Sequence, residues 1–346
     1  MNKTALTKTY TKDIQNSCLN SKKIVLSLAT ISFLASCTHA TLTPEIKTYE
    51  ETNRHAKARS ASRSTNSNNK TTISSLQNST QTVSNTGNTL VIESGGTITI
   101  SNGGQQAVNF QPNSSTSTFL NKGTLIGGNN TASVQLGADG NNGVNIETFD
   151  NQGIIGNGSS KFGVTVFGGG DKDNSKSIIN NFSNSGTIHS NAGESIYFGN
   201  ANISSFANSG TIKSKQGAGV NISQGTSIGN FNNTGTIEGK KDGIQINANV
   251  KTLINKGTIK GDAISIRSLG GTIDQLINEG IMDGKSAGIY MRGGRVKTLI
   301  NSGTINQNNS ETWAAGIKLQ NNSTIENIIN TGSIRSNAFG ISVTGG

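Results

Sequence analysis

Ser227 is the first residue to weigh for chemistry, because Gly225-Thr226-Ser227-Ile228-Gly229 carries the letters of a nucleophile elbow. In that motif a serine on a tight strand-to-helix turn attacks a carbonyl once a histidine has taken its proton. The histidines here are His39, His55 and His189. None follows the serine, and strand-like words flank it, so Ser227 reads as a turn serine. Gly284-Lys285-Ser286 shares letters with a phosphate-binding loop. That loop needs a glycine five residues before Gly284 and a helix after it. The position holds Glu279, and Lys285 reads as a solvated corner. Asp171-Lys172-Asp173-Asn174 offers oxygens to a hard cation but lacks the central glycine and closing glutamate of a calcium loop. It reads as a charged loop tip. No Cys/His cluster offers zinc ligands, so neither a metal nor another cofactor is expected. Asp242 and Asp262 stand about one period apart and could be the paired carboxylates of a sugar-cleaving site. A repeating chain also places acids in such pairs with no catalytic need.

Cys37 is the residue with a defined modification chemistry. Residues 1–23 are polar and basic, and residues 24–34 are an apolar run. A positive flank followed by a run of this length is an export signal, too short to span a bilayer as a helix. The run closes on Leu34-Ala35-Ser36-Cys37, which resembles the lipobox of bacterial lipoproteins. That resemblance implies a signal peptide over residues 1–36 and a diacylglycerol thioether on Cys37. The competing reading is ordinary cleavage after Thr38-His39-Ala40. Cys18 lies inside the leader, so the mature chain keeps one cysteine and forms no intrachain disulfide.

The elements that must carry any such residue are set by a repeat. Val296-Lys297-Thr298-Leu299-Ile300-Asn301-Ser302-Gly303-Thr304-Ile305 is matched closely by Val250-Lys251-Thr252-Leu253-Ile254-Asn255-Lys256-Gly257-Thr258-Ile259. Asn-x-Gly turns begin at Asn121, Asn151, Asn184, Asn208, Asn233, Asn255, Asn278, Asn301 and Asn330, with intervals of 30, 33, 24, 25, 22, 23, 23 and 29 residues. A period in the twenties is a solenoid signature. Each period holds two more apolar words, such as Gly243-Ile244-Gln245-Ile246, which alternates with the period of a strand. Three strand words per period make one rung of a parallel β-helix. A leucine-rich horseshoe would need a regular leucine core, and leucine is sparse here. The turn glycines are expected at positive φ, which Gly adopts without a Cβ clash. The stacked asparagines are expected to form an amide ladder.

The chain has 346 residues, 44 of them glycine, and few aromatics, which suits a core one side chain deep. Net charge is +10, but residues 1–70 hold 11 Lys and Arg against 4 Asp and Glu, leaving the rest nearly balanced. A nucleic-acid groove would need clustered basic residues with stacking aromatics in the folded part, so no nucleic-acid partner is expected. Residues 37–88 are rich in Ser, Thr, Asn and Lys and read as a polar flexible tether. Residues 89–346 read as the β-helix, with longer loops in the two widest intervals, around residues 157–160 and 168–176. The chain stops within a rung at Thr344-Gly345-Gly346, and is expected to be part of a longer protein or a shortened reading frame.

The leader, the tether and the Asn-x-Gly-Thr-Ile rungs together resemble the passenger of a bacterial autotransporter. With the Leu34–Cys37 word they are similar to the autotransporter lipoproteins, the Campylobacter adhesion proteins among them. That family implies an all-β, right-handed parallel β-helix, held at the outer membrane and cell surface by its lipid and attaching to a host-cell surface protein or glycan. The family's membrane barrel of alternating strands is not found in this sequence. The function expected is a non-enzymatic surface adhesin. The alternatives are a β-helix carbohydrate-active enzyme and an inert scaffold or non-functional fragment.

Overall fold

The computed structural model describes residues 70–344, apart from 85, 158, 170–174 and 310–313. The leader, Cys37, residues 37–69 and the Asp171–Asn174 tip therefore lie outside the described residues.

The described chain winds through three parallel sheets of 11 strands each, and every strand between the end turns pairs with its counterparts one turn before and one turn after. This is a right-handed parallel β-helix, the hand that twisted strands favour in parallel crossovers. At about 4.8 Å per turn, the eleven turns span about 50 Å.

The turns register through repeated side chains. On the first sheet Asn249–Asn255 pairs with Thr272–Asn278, so that Val250 meets Ile273, Leu253 meets Leu276 and Asn255 meets Asn278. On the second, Ile237, Ile259, Met282 and Ile305 form one buried column. On the third, Ile244, Ile266, Ile289 and Ile317 form another. These columns meet in a continuous apolar core. In the earlier turns the Leu253 column holds phenylalanines. Phe149 and Phe182 stack at 4.3 Å, as do Phe206 and Phe231.

The Asn-x-Gly corner joins the first sheet to the second. Each buried asparagine donates its side-chain Nδ2 to Oδ1 of the next, at 2.7–2.8 Å from Asn121 through to Asn330. Each corner backbone carbonyl also takes two donors from the next turn. Asn233 O, for example, accepts Lys256 N at 2.7 Å and Gly257 N at 3.1 Å. The amide ladder read from the repeat is thus present.

The reason for the corner glycines differs from the one expected. Positive φ occurs at Gly87, Gly137, Gly140, Gly156, Gly225, Gly271 and Gly293, and at none of the Asn-x-Gly glycines. What the corner requires is close approach. A Cβ on Gly257 would overlap the Gly235 carbonyl oxygen and come within 2.6 Å of the Thr234 carbonyl carbon. The Gly235 carbonyl accepts Thr258 N at 2.9 Å. The turns are drawn together at this corner until no side chain fits between them.

The start of the stack also differs. Lys70–Ile73, Leu76–Gln77 and Gln81–Val83 form a first turn beneath Thr86–Ile92, so residues 70–88 belong to the β-helix, not to a tether. Their composition hides this. Only Ile73 and Val83 of that turn are buried, and Leu76 is exposed. In the longest interval the strands are separated at residues 156–161 and 168–176, of which 158 and 170–174 lie outside the described residues, and residues 137–144 separate two strands of the interval before.

Candidate functional site

The outer faces of the three sheets differ in chemistry. Along the second sheet Lys213, Glu238, Lys260 and Asp283 follow one another turn by turn, and Lys213 pairs with Glu238 at 3.1 Å. Similar inter-turn pairs join Lys256 to Glu279 at 3.2 Å and Lys297 to Asp274 at 2.6 Å. Exposed pairs like these contribute about 0–1 kcal/mol each. Their effect is to neutralise those faces more than to hold the turns together.

The third sheet is different. The residues that alternate with its core columns run Gln135, Thr165, Tyr197, Asn221, Gln245, Arg267, Tyr290, Lys318 and Ser342. The row contains amides, hydroxyls, two tyrosines and two cations, and no carboxylate.

Within it lies a hollow of about 250 Å³ lined by Ala263, Ile264, Arg267, Ser286, Ala287, Tyr290, Lys318 and Gln320. Alanines at 263 and 287 leave the space that larger side chains would fill. Arg267 is fixed by Asp242 of the preceding turn: its Nε donates to Oδ2 at 2.7 Å and its Nη2 to Oδ1 at 3.1 Å. Its guanidinium carbon lies 5.4 Å from the centre of the Tyr290 ring. The Tyr290 hydroxyl donates to Gln320 Oε1 at 2.6 Å, and Gln320 Nε2 donates to Thr344 Oγ1 at 3.1 Å. Burial pushes the Asp242 carboxyl above its ordinary range, and its hydrogen bonds from Arg267 pull it back only in part. Such an arrangement can hold a small polar ligand by hydrogen bonds. Both Asp242 oxygens are already engaged by the arginine.

A wider groove of about 590 Å³ opens on the first sheet where Gly229 offers no side chain, bordered by Asn249, Lys251, Asp274, Arg295 and Lys297. Lys297 is bound to Asp274, and Arg295 to Glu326.

The residues singled out in the sequence are dispersed. Ser227 begins a first-sheet strand, is exposed, and donates its hydroxyl to Asn202 Oδ1 at 2.8 Å. His189, the one histidine among the described residues, lies on the second sheet. Lys285 sits at an exposed corner and pairs with Asp262 at 3.5 Å. Asp262 is also bound by Lys240 at 2.5 Å, whose hydrogen bond holds that carboxyl below its ordinary value. Asp242 and Asp262 thus occupy neighbouring turns, each engaged by its own cations. Among the described residues no group of three or more His, Cys, Asp and Glu gathers where a metal ion could be held. Nor is any described helix long and apolar enough to cross a membrane.

Sequence reasoning did not find Arg267, Tyr290 and Lys318. Their signal was the middle position of the third word in each period, where Tyr290 and Lys318 stand in Gly-Ile-Tyr-Met and Gly-Ile-Lys-Leu.

His189 gives a pH handle on the stack. Its ring Nε2 is buried without a hydrogen-bond partner. Burial first, then Lys215 and Lys213, hold its pKa below 6.5. A depressed folded pKa adds stability that is present above the unfolded value and is lost as pH falls through the folded one. Melting temperature should therefore decline as pH drops below about 6.5, and His189→Gln should flatten the decline between about pH 7 and 5. An identical slope in the variant would show that other groups control it.

Compared with known proteins, the chain matches no family model, no curated protein and no solved structure.

Proposed function

We propose that the stack is the displayed passenger of an autotransporter-type surface adhesin, held at the outer membrane by a lipid on Cys37 and attaching to a host-cell surface protein or glycan. The observation that supports this most is the third-sheet row, in which hydrogen-bonding side chains recur at every turn along one face. Contacts that are individually weak sum when one ligand engages several of them, because each later contact forms at high effective concentration. Alternating charges on the second sheet and a third-sheet row without carboxylates fit a chain in which one face binds and another remains solvated. The carbohydrate-active alternative draws less support, since Asp242 and Asp262 are both tied to cations and a sugar-cleaving acid must be able to exchange its proton.

The test uses the full chain. Labelled protein added to epithelial cells should bind saturably, well above a β-helix of unrelated faces, and in the bacterium labelled palmitate should enter the wild type but not Cys37→Ala. Binding no greater than the unrelated β-helix rejects the adhesin. Palmitate in both forms, or in neither, rejects the anchor.

A further inference from the structure

We infer that the third-sheet face is a track for an extended pyranose polymer, with the hollow beside Arg267 and Tyr290 as the subsite that seats one sugar unit. This rests on the adhesin reading and names its face and ligand class.

Three observations carry it. First, the row changes chemistry relative to the other faces. Second-sheet side chains alternate in sign from Lys213 to Asp283, with Lys213 paired to Glu238, whereas the third-sheet row offers amide, phenol and guanidinium groups. Planar groups of that kind meet a sugar's adjacent hydroxyls with paired donors and acceptors, and the apolar edges of the same groups accept its C–H surface. Second, the row has a fixed rise. Gln245, Arg267, Tyr290 and Lys318 are directly paired strand neighbours, so their side chains recur every ~4.8 Å, a spacing that lets successive sugars of an extended polymer meet successive turns. Third, the hollow is preformed. Its floor is opened by Ala263 and Ala287, and its walls are held by the Asp242–Arg267 pair and the Tyr290–Gln320 bond. A ligand entering it does not have to order those side chains, which lowers the entropic cost of binding.

The hollow is too small for a folded partner, and the charged and hydrogen-bonding groups of Arg267, Lys318 and Gln320 among its lining disfavour a lipid chain. One sugar unit of a longer polymer fits both its size and its hydrogen-bonding groups. The first-sheet groove is the weaker candidate, because it is wider and the ion pairs on its border, Lys297–Asp274 and Arg295–Glu326, are exposed, whereas Arg267 is held against the buried Asp242.

The experiment measures binding of the full chain to two immobilised linear polymers, hyaluronan as an acidic probe and a β-glucan as a neutral one. Tyr290→Ala and Gln320→Ala test the subsite, and Lys297→Ala serves as the control on another face. Circular dichroism confirms that each variant keeps its sheet content. Saturable binding to either polymer, weakened tenfold or more by Tyr290→Ala or Gln320→Ala and not by Lys297→Ala, is the expected result. Absence of saturable binding to both, or equal weakening by all three substitutions, overturns the track. If both polymers fail while epithelial cells still bind, the inference falls and the adhesin stands. If a polymer binds while cells do not, the track stands and the adhesin falls.

Discussion

Gly257→Ala should lower stability by about 3–5 kcal/mol, a loss expected of a backbone collision in a packed interior and far beyond an ordinary surface change. The added methyl would overlap the Gly235 carbonyl oxygen and lie 2.6 Å from the Thr234 carbonyl carbon. Both atoms belong to the main chain of the preceding turn, so no rotamer change relieves the contact. The turns must part, and parting them weakens Lys256 N to Asn233 O, Gly257 N to Asn233 O and Thr258 N to Gly235 O together. Gly104→Ala is the matched control. A Cβ there meets nothing within 4 Å and φ is not positive, so the change should stay within about 0.5 kcal/mol. Urea denaturation measures both, and hydrogen exchange at Thr258 locates the damage. Equal losses for the two variants would mean that corner close approach is not what the glycine serves.

Asn255→Ala should cost about 2–5 kcal/mol. The substitution removes the acceptor of Asn233 Nδ2 and the donor to Asn278 Oδ1, both at 2.8 Å, along with the bond to the Ile281 carbonyl. Asn233 and Asn278 are fully buried, so water cannot replace what they lose, and a buried polar group left unmatched costs about 1–3 kcal/mol. Asn330 gives the comparison. It accepts one ladder bond, from Asn301, and is exposed. Asn330→Ala should therefore cost less, about 1 kcal/mol, since it leaves a single buried partner, Asn301 Nδ2, without its acceptor, and that group keeps a bond to the Ser333 carbonyl. If the two variants melted alike, the ladder would be a consequence of the fold and not a support of it.

These two columns also show how much was legible in advance. Recurrence of Asn-x-Gly and of three apolar words gave the three-sheet winding and the amide ladder directly, because a solenoid prints each contact into the sequence as a repeat. The role of the glycine was not legible in the same way. Positive φ and close approach both select Gly, and only the separation of neighbouring turns tells them apart. The first turn escaped notice because burial of Ile73 and Val83 alone leaves too little apolar pattern in Lys70–Val83 to stand out from a polar linker. The third-sheet hollow was hidden for another reason. Arg267, Tyr290 and Lys318 are adjacent only once each turn's length is known, and the turn between Tyr290 and Lys318 carries extra residues that break the interval. The Asp242–Arg267 pair was likewise out of reach, because Asp242 is in register with Ile264 and its arginine lies three residues further along that strand.

The amide column has an orientation. Each of its bonds from Asn121 to Asn330 runs from Nδ2 of the earlier turn to Oδ1 of the later one. Such a vector cannot be continued across a twofold axis, which would set donor against donor or acceptor against acceptor where two copies met by their like ends. Only a polar, translational succession extends it, so any end-to-end association that preserved the column would be heterologous and open, never a closed symmetric pair.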